Sequence, residues 1–309
     1  MGEKTAPKFP MCHLDKLIAL QKNPRLPAAD KPRVEKALEK HEAWIKELEA
    51  VNASQKDAVE KLVEATNRYK AFIEIDLIFD SPDNFLYRQK GQLKLDNTIL
   101  EEFLPQLVYR GLRLKDHQVF EFGPLSTFAG LTFNSSISDP GYGGHPRRRA
   151  KDQDFVLGKK LYIKTSFDKG FEQAEVIESH LGYICVECKT NLDKTMFQEA
   201  VATSRDLKIV VPSSLYFLVC EFLDMTPVSI TSTQIDDVLI VRKAKRMSSN
   251  VRQEYRSVSD RQKHRDEYVT FVEKSKYYPD VFRRMIDKIQ SRVDQTNPDA
   301  SKVLKEGYF

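Results

Sequence analysis

The chain has 309 residues, 41% of them hydrophobic, which is enough to bury a substantial core in one large or two modest domains. Its 49 lysines and arginines against 45 aspartates and glutamates give a formal charge of only +4, so the chain as a whole is not a polycation. No run of about 18 apolar residues occurs and the start lacks the pattern of a secretion signal, which excludes a membrane-bound protein and indicates a cytoplasmic one.

Residues 1–90 are predicted to form a loosely ordered arm followed by a helical hairpin. One short amphipathic piece at 14–21 is surrounded by Pro7, Pro10, Pro24 and Pro27. Apolar residues then recur at helical spacing over 32–52, and again over 57–73 behind an N-cap at Ser54. Such a hairpin cannot bury its apolar stripe alone, so we expect it to pack on a core or on a partner chain.

Residues 91–246 are predicted to form the core, after a boundary at the turn formers 81–84. Asn97 is expected to cap a helix over 99–112 with a broad apolar stripe. The glycines of the turn-rich segment 117–150 do not form a phosphate loop, because no Gly-Lys-Ser/Thr follows them. The segment ends in a predicted basic loop of Arg147, Arg148, Arg149 and Lys151. Such a loop suits contact with a phosphate backbone, and a solvated charged surface is an equally common alternative.

Two segments that are predicted to be β-structure contain acidic residues and a lysine. Residues 153–163 predict a hairpin with Asp154 at its mouth and a Gly-Lys-Lys turn. The run 183–192 carries Glu187 and Lys189 two residues apart, so on a strand both point to one face while Val186 and Cys188 point to the other. An isolated Glu-x-Lys is common in a charged chain, so its significance depends on Asp154.

Two carboxylates and a lysine on adjacent strands are typical of phosphodiester hydrolysis. Carboxylate oxygens from Asp154 and Glu187 suit Mg²⁺, which also keeps several waters, and the backbone carbonyl of Cys188 is a further candidate ligand. The metal would polarise a phosphoryl oxygen and acidify a bound water, while Lys189 would position that water or offset developing charge. If the hairpin register is different, Asp168 or Glu175 takes the place of Asp154.

The four cysteines do not indicate a disulfide framework or a zinc site. Cys185 and Cys188 form a Cys-x-x-Cys pair, but on a strand they face opposite sides, and no second pair is available to complete a zinc site. We therefore expect buried thiols.

Asp154 with Glu187-Cys188-Lys189 resembles the PD-(D/E)XK nuclease motif, with Gln153 in place of the usual proline. The following residues 190–196, the segment 232–246 and the terminal Glu306-Gly307-Tyr308 make the chain similar to the BbvCI-like type II restriction endonucleases, which cut short asymmetric DNA sites. The resemblance covers about residues 97–246 and the tail. It implies an α/β fold with a mixed central sheet flanked by helices, preceded by an N-terminal helical region.

The resemblance also implies partners and an assembly. The expected substrate is double-stranded DNA, hydrolysed in a Mg²⁺-dependent reaction at a specific site. One such site cuts one strand, so the chain is expected to form a homodimer, or a heterodimer with a related nuclease subunit. A cognate DNA methyltransferase is expected in the same restriction-modification system.

Further site residues follow from the resemblance. In the wider superfamily the core helix sometimes adds an acid, which makes Glu101 or Glu102 a candidate; a solvated first-turn acid is the commoner alternative. The first turn of the helix expected over 193–207 faces the site, so Asp193, Lys194 and Gln198 are candidates either to support the site residues or to contact the DNA phosphates. Simple capping and solvation are the alternative.

The apolar runs 215–220 and 238–241 predict strands buried on both faces of the sheet. Residues 247–309 are predicted to form a basic segment and a C-terminal helix. The basic stretch that starts at 242 predicts an extended arm that orders on DNA, with contacts from Arg242, Lys243, Lys245 and Arg246. The last helix, over 281–293, is expected to bury Val293 with its apolar face and to expose a second basic surface formed by Arg283, Arg284, Lys288 and Arg292.

Two alternatives remain open from the sequence. One is a repair or recombination nuclease that selects a DNA structure. The other is a protein without catalysis, either a DNA-binding subunit or a helical interaction protein in which Glu-x-Lys occurs by chance.

Overall fold

The computed structural model describes residues 9–52, 56–88, 94–114, 117–295 and 299–307. The N-terminal region consists of α1 (Cys12–Gln21), a 3₁₀ turn (Ala28–Asp30), α2 (Lys31–Ala50), α3 (Ala58–Ala71) and a π-helix (Phe72–Phe79) that continues α3. The predicted hairpin of α2 and α3 is confirmed, and Trp44 stacks on Tyr69 at 4.7 Å between ring centroids. The predicted N-cap at Ser54 lies outside the described residues.

The prediction of a loosely ordered arm is wrong for residues 9–30. Leu17 and Leu20 of α1 are completely buried in the main apolar cluster. The imidazole of His13 lies 2.8 Å from the hydroxyl of Tyr69 and 3.1 Å from that of Thr98. The prolines separate short elements here, but the apolar residues between them are sufficient to fix the segment to the core.

A five-stranded mixed sheet lies at the centre of the molecule. Its strands are β1 (Glu121–Phe133), β2 (Pro146–Thr165), β3 (Glu175–Leu192), β4 (Leu215–Leu223) and β5 (Asp237–Lys245). They lie in the order β1-β2-β3-β4-β5. β2 pairs antiparallel with both β1 and β3, whereas β3, β4 and β5 run parallel to one another. β1 and β3 also meet at one parallel bridge, between Thr127 and His180. This arrangement confirms the predicted mixed central sheet.

The hairpin predicted over 153–163 is wrong, because β2 continues through Gly158 to Thr165. Gly158 marks a shift in the pairing with β3 instead of a turn. A Cβ at this position would lie 2.8 Å from the carbonyl oxygen of Leu181, so the close approach of the two strands requires glycine. The chain reverses direction between β2 and β3. The basic run that was expected to form a loop is also part of β2, paired with β1.

Helices cover both faces of the sheet. On one face pack the N-terminal helices, α4 (Thr98–Gly111) and α9 (Pro279–Val293), and on the other packs α5 (Lys194–Val210). Cys188 belongs to the first apolar cluster and Cys185 to the second, as the strand alternation predicts. Burial raises the pKa of the Cys185 thiol to about 12, so this buried thiol stays protonated.

The first apolar cluster crosses the boundaries that the sequence suggested near residues 90 and 246. It includes Leu17 from α1, Phe155 from β2 and Phe282 from α9. The three sequence segments therefore share this core. None of the described helices is long and apolar enough to cross a membrane.

The basic segment after β5 is helical, so the prediction of an extended arm is wrong. It forms α6 (Ser249–Gln253), α7 (Val258–Lys263) and α8 (Arg265–Lys274), and a short α10 (Ala300–Glu306) follows α9. Serine side chains cap α6 and α7, and Tyr268 stacks on Phe79 at 3.9 Å between ring centroids. Arg261 is buried and donates to the carbonyl oxygens of Phe79 and Ser81. The caps and this packing order a segment whose composition resembles that of a disordered one.

Candidate active site

Glu187 and Lys189 lie on β3, the central strand of the sheet, which pairs with β2 on one side and with β4 on the other. Their side chains point to the same face, and the Lys189 ammonium lies 2.8 Å from Oε1 of Glu187. Both side chains are partly buried. The strand alternation deduced from the sequence is therefore confirmed for this pair.

Asp154 reaches the same place from β2. Pairing of Phe155 with Val186 puts Asp154 beside the Glu-Cys-Lys triplet, and its Oδ2 accepts a 2.7 Å hydrogen bond from the backbone N–H of Cys188. Asp154 lies at a β-bulge, because β2 has one residue more than β1 between the paired positions Gln153 and Val156. Bulges re-aim side chains and are common next to active sites.

The two alternatives to Asp154 lie elsewhere. Asp168 is in the exposed turn between β2 and β3, where its carboxylate accepts hydrogen bonds from Ser166 and from the backbone of Glu172. Glu175 starts β3 and pairs with His145 at 3.4 Å. At roughly 3.3 Å per residue it is about 40 Å from Glu187 along the strand. Of the three acids, Asp154 is the one that lies near Glu187 and Lys189.

The core helix α4 brings one of its two candidate acids towards this group. Burial, followed by the charge of Asp154, raises the pKa of Glu101. Glu102 instead lies under the N-terminal helices, where it pairs with His41 at 2.5 Å and accepts the backbone N–H of His13 at 2.7 Å. Glu101 therefore lies within electrostatic reach of Asp154, whereas Glu102 fixes α1 to the core. Asn97 precedes α4 and donates to Glu101 without capping a backbone N–H.

The site concentrates negative charge. Burial raises the pKa of Asp154 and the charge of Glu187 adds to the effect, against the Cys188 hydrogen bond and the charge of Lys189. Burial alone lowers the pKa of Lys189, but its hydrogen bond and attraction to Glu187 outweigh this and the net shift is upward. Of these acids Glu187 is ion-paired, with Lys189, whereas Asp154 and Glu101 have raised pKa values and no ion pair among the described residues, so a bound cation would be stabilised here.

The donor set fits a hard divalent cation. Among the described residues there is no group of three or more His, Cys, Asp or Glu side chains arranged to hold a metal. Mg²⁺ does not require one, because it typically takes one or two carboxylates and completes its octahedron with waters and substrate oxygens. Asp154 and Glu187 meet that need.

Three residues near the site were missed by sequence reasoning. Tyr216 of β4 donates from its hydroxyl to Oε2 of Glu187 at 2.5 Å. The charge of Glu199 on α5 helps to raise the pKa of Lys189, and the charge of Lys94 lowers those of Asp154 and Glu101. Tyr216 belongs to an apolar segment whose pattern predicts only a buried strand. The only signal was a polar hydroxyl in that run, which needs a partner when it is buried.

The predicted basic contacts are dispersed. Arg147, Arg148 and Arg149 lie on β2 and are exposed, but Arg148 is about 20 Å along the strand from Asp154. Arg149 and Lys151 approach Asp206 of α5 at 3.3 and 3.1 Å. Lys194 and Gln198 are exposed on the first turns of α5, whose N-terminus is capped by the side chain of Asp193.

Arg242 is only 2% exposed. Its guanidinium contacts Glu221 at 2.8 Å, Glu74 at 2.6 Å and the carbonyl oxygen of Ser275 at 2.5 Å. This burial removes Arg242 from the expected DNA contacts. Two neighbours on β5 remain at the surface: Lys243 pairs with Asp280, and Lys245 is exposed. Arg246, directly after β5, is partly buried and lies 3.6 Å from Asp224.

The basic face of α9 is engaged within the chain. Arg284 pairs with Asp237 at 2.6 Å and Arg292 donates to the carbonyl oxygen of Ser213 at 3.1 Å. Arg283 pairs with Glu60, and Lys288 donates to the carbonyl oxygen of Asp236. These contacts fix α9 to the molecule, which argues against the expected second phosphate-facing surface. The predicted inward position of Val293 is also wrong, since its side chain is exposed at the end of the helix.

A basic groove of about 860 Å³ adjoins the site. Its wall includes Thr190 and Asn191, which directly follow Lys189 on β3. Besides the buried Arg242, five cationic side chains line it: Arg88, Lys94, Arg246, Arg252 and Arg256. Glu74 and Asp96 are the acidic residues in this lining. A cleft with this excess of positive charge attracts polyanions.

A five-stranded mixed sheet flanked by helices and preceded by an N-terminal helical region is the α/β restriction endonuclease fold. Over residues 92–309 the sequence matches the family described as Bpu10I restriction endonuclease. The chain belongs to this family.

Solved structures agree on the fold. A chain of the native BbvCI A2B2 tetramer superposes with a TM-score of 0.64 at 18% sequence identity, covering 93% of this chain and 98% of that one. This likeness extends through the N-terminal helices, which lie outside the family match. No curated protein matches the sequence significantly.

Proposed function

We propose that this chain is a type II restriction endonuclease subunit that hydrolyses phosphodiester bonds within a specific duplex DNA site in a Mg²⁺-dependent reaction. The observation that carries the proposal is the proximity of three side chains: Asp154 accepts the backbone N–H of Cys188, and the two residues that flank Cys188, Glu187 and Lys189, form an ion pair. Membership of the Bpu10I family supports the reaction class.

Each residue has a separate role. Asp154 and Glu187 hold the metal, with the backbone carbonyl of Cys188 as a further ligand and Glu101 as a nearby acid. When bound, Mg²⁺ supplies a Lewis acid and a water of lowered pKa. Lys189 stays protonated beside Glu187, so its ammonium can orient the attacking water and offset charge that develops on the phosphate.

The basic groove is the proposed path of the DNA backbone next to this site. Arg246 lines it, and Lys243 and Lys245 lie on β5, which ends directly before Arg246. Lys194 and Gln198 extend the contact along α5, and the exposed arginines 147–149 provide a more distant contact along β2. Contacts of this kind position the duplex, whereas base edges specify the sequence.

A double-strand break needs two such sites. The structural neighbour is a tetramer of two kinds of chain, which supports assembly of this chain with a related subunit or with a second copy. A cognate DNA methyltransferase would protect the host site in the same system.

The test is incubation of the purified chain with supercoiled plasmid and Mg²⁺, with and without chelator, followed by electrophoresis. Discrete linear fragments support a self-sufficient enzyme, and nicked circles support one competent site per complex. Cutting that persists in chelator contradicts the proposal, and so does a plasmid left intact both by the chain alone and by the chain reconstituted with its co-expressed partner.

A matched pair of variants tests which acid joins Glu187 at the site. Asp154→Asn should abolish cleavage while DNA binding in Ca²⁺ is retained. Asp168→Asn, in the turn at the far end of β2, should cleave like the parent chain. Retained cutting by Asp154→Asn would show that another acid serves the site.

A further inference from the structure

Two of the described tyrosines donate from their hydroxyl groups to buried or partly buried glutamates. Tyr216 donates to Oε2 of Glu187 at 2.5 Å, and Tyr277 donates to Oε1 of Glu221 at 2.8 Å. Both tyrosines are 0% exposed. The two glutamates differ in the cations that contact them, and that difference indicates a role for Tyr216.

Glu221 is fully compensated by cations on both oxygens. Lys70 lies 2.8 Å from Oε1, and Arg242 lies 2.8 Å from Oε2. Tyr277 therefore adds one bond to a carboxylate whose orientation is already fixed. Its glutamate lies in the interior, away from Lys189.

Glu187 pairs with one cation among the described residues, and that cation sits on one oxygen. Lys189 contacts Oε1, and Tyr216 contacts Oε2 from the neighbouring strand. Without the tyrosine hydroxyl, the carboxylate would be free to turn both oxygens towards Lys189, because a carboxylate optimises contact with an adjacent ammonium. After such a rotation of the carboxylate, Lys189 would compete with a metal ion for both oxygens of Glu187.

The ring of Tyr216 has little freedom. It packs in the apolar cluster between the sheet and α5, and the residue pairs with Cys185 in the parallel ladder of β3 and β4. Its backbone N–H also donates to Asp236 at 2.7 Å. The hydroxyl is thus held at a fixed point beside Glu187.

We propose that Tyr216 is a positioning residue, which holds Oε2 of Glu187 away from Lys189 and so keeps the carboxylate oriented to bind a divalent cation. This inference rests on the proposed function of Glu187 as a metal ligand. Groups that orient metal ligands typically change metal affinity or activity by about 10- to 100-fold when they are removed.

The experiment compares Tyr216→Phe with Tyr277→Phe in the full chain. Both changes remove one buried hydroxyl from a glutamate and leave the ring. Binding of Mn²⁺ is measured by electron paramagnetic resonance of the free ion, and the Mg²⁺ concentration for half-maximal cleavage is measured in parallel. We expect Tyr216→Phe to weaken Mn²⁺ binding and to raise the Mg²⁺ requirement by about 10- to 100-fold. DNA binding without metal should be unchanged.

Tyr277→Phe is expected to lower thermal stability and to leave Mn²⁺ affinity at the parent value. Equal Mn²⁺ affinity in Tyr216→Phe and the parent would overturn the inference, as would an equal loss in both variants. Asp154→Asn distinguishes a failure of the positioning role of Tyr216 from a failure of the proposed metal site. If it weakens Mn²⁺ binding and Tyr216→Phe does not, only the positioning role fails; if neither variant differs from the parent, the metal site itself is wrong.

Discussion

Two groups of charged residues in this protein contain the same types of side chain but differ in how these side chains are paired. The interior cluster joins Lys70 and Arg242 to Glu74 and Glu221, with an equal number of cations and acids in contact. At the candidate active site, Glu101, Asp154 and Glu187 share a single ion pair among the described residues, the one with Lys189. Ion pairs hold elements together in the first group, whereas acids without an ion pair are available to a cation in the second. The contrast can be tested by changing one member of each group.

The largest expected effect comes from unbalancing the interior cluster. Arg242→Met would leave two buried glutamates opposite Lys70 alone, and loss of one partner from a buried ion pair typically costs about 3–5 kcal/mol. Denaturant unfolding should show this loss. The folded fraction should retain cleavage per molecule, because Arg242 does not touch Asp154 or Glu187. A variant as stable as the parent would show that the cluster does not hold the fold.

At the candidate site, Lys189→Met should have the opposite profile. Removal of a group that stabilises developing charge typically lowers the rate by about 10²- to 10³-fold, or about 2.7–4 kcal/mol. Stability should change little, since Lys189 is partly exposed and its partner Glu187 keeps the bond from Tyr216. Single-turnover cleavage and thermal unfolding measure the two effects. A rate close to that of the parent would remove Lys189 from the mechanism.

Removing an acid from the site should stabilise the protein. Burial raises the pKa of Asp154 above the ordinary value of 3.8 for this group, so the folded state favours the protonated form and loses stability as pH rises through the folded pKa. Asp154→Asn keeps the acceptor for the Cys188 N–H and removes the charge. We expect a gain of about 0.5–2 kcal/mol at pH 7, the usual range of single stabilising changes.

That gain should disappear below about pH 3.8, where the parent carboxyl is protonated in both states. Saturating Mg²⁺ should stabilise the parent and not the variant, because only the parent retains the ligand. Unfolding measured across pH with and without Mg²⁺ tests both points. A loss of stability at neutral pH would mean that the charge of Asp154 is already compensated.

The smallest effect is expected in the basic groove. Arg252→Ala combined with Arg256→Ala should weaken DNA binding modestly and for all sequences alike. The slope of log affinity against log salt should fall by about 0.9 for each phosphate that the variant no longer neutralises. Lys46→Ala is a matched control, because Lys46 is an exposed cation that pairs with Glu42 and does not line the groove. An unchanged salt slope would place the DNA elsewhere.

Local patterns were sufficient for much of the fold. The helical stripes of α2, α3 and α4 and the buried runs of β4 and β5 follow from apolar spacing within each segment. The predictions from sequence were wrong where a residue's role depends on contacts with segments distant in the chain. Gly158 looked like a turn residue, but it serves a close approach to Leu181 on the neighbouring strand. The segment after β5 looked disordered, but its tyrosines and buried Arg261 pack against the π-helix.

For the site, the sequence by itself determined the pair on β3, because a strand places residues two apart on one face whatever surrounds it. The tertiary structure decided which acid joins that pair, since Asp154 owes its position to pairing with β3 and to a bulge opposite β1. It also decided that Tyr216 reaches Glu187 from β4, that Glu102 pairs with His41 under the N-terminal helices, and that Arg242 is buried. These facts depend on register and packing between segments far apart in the chain, and no local pattern encodes them.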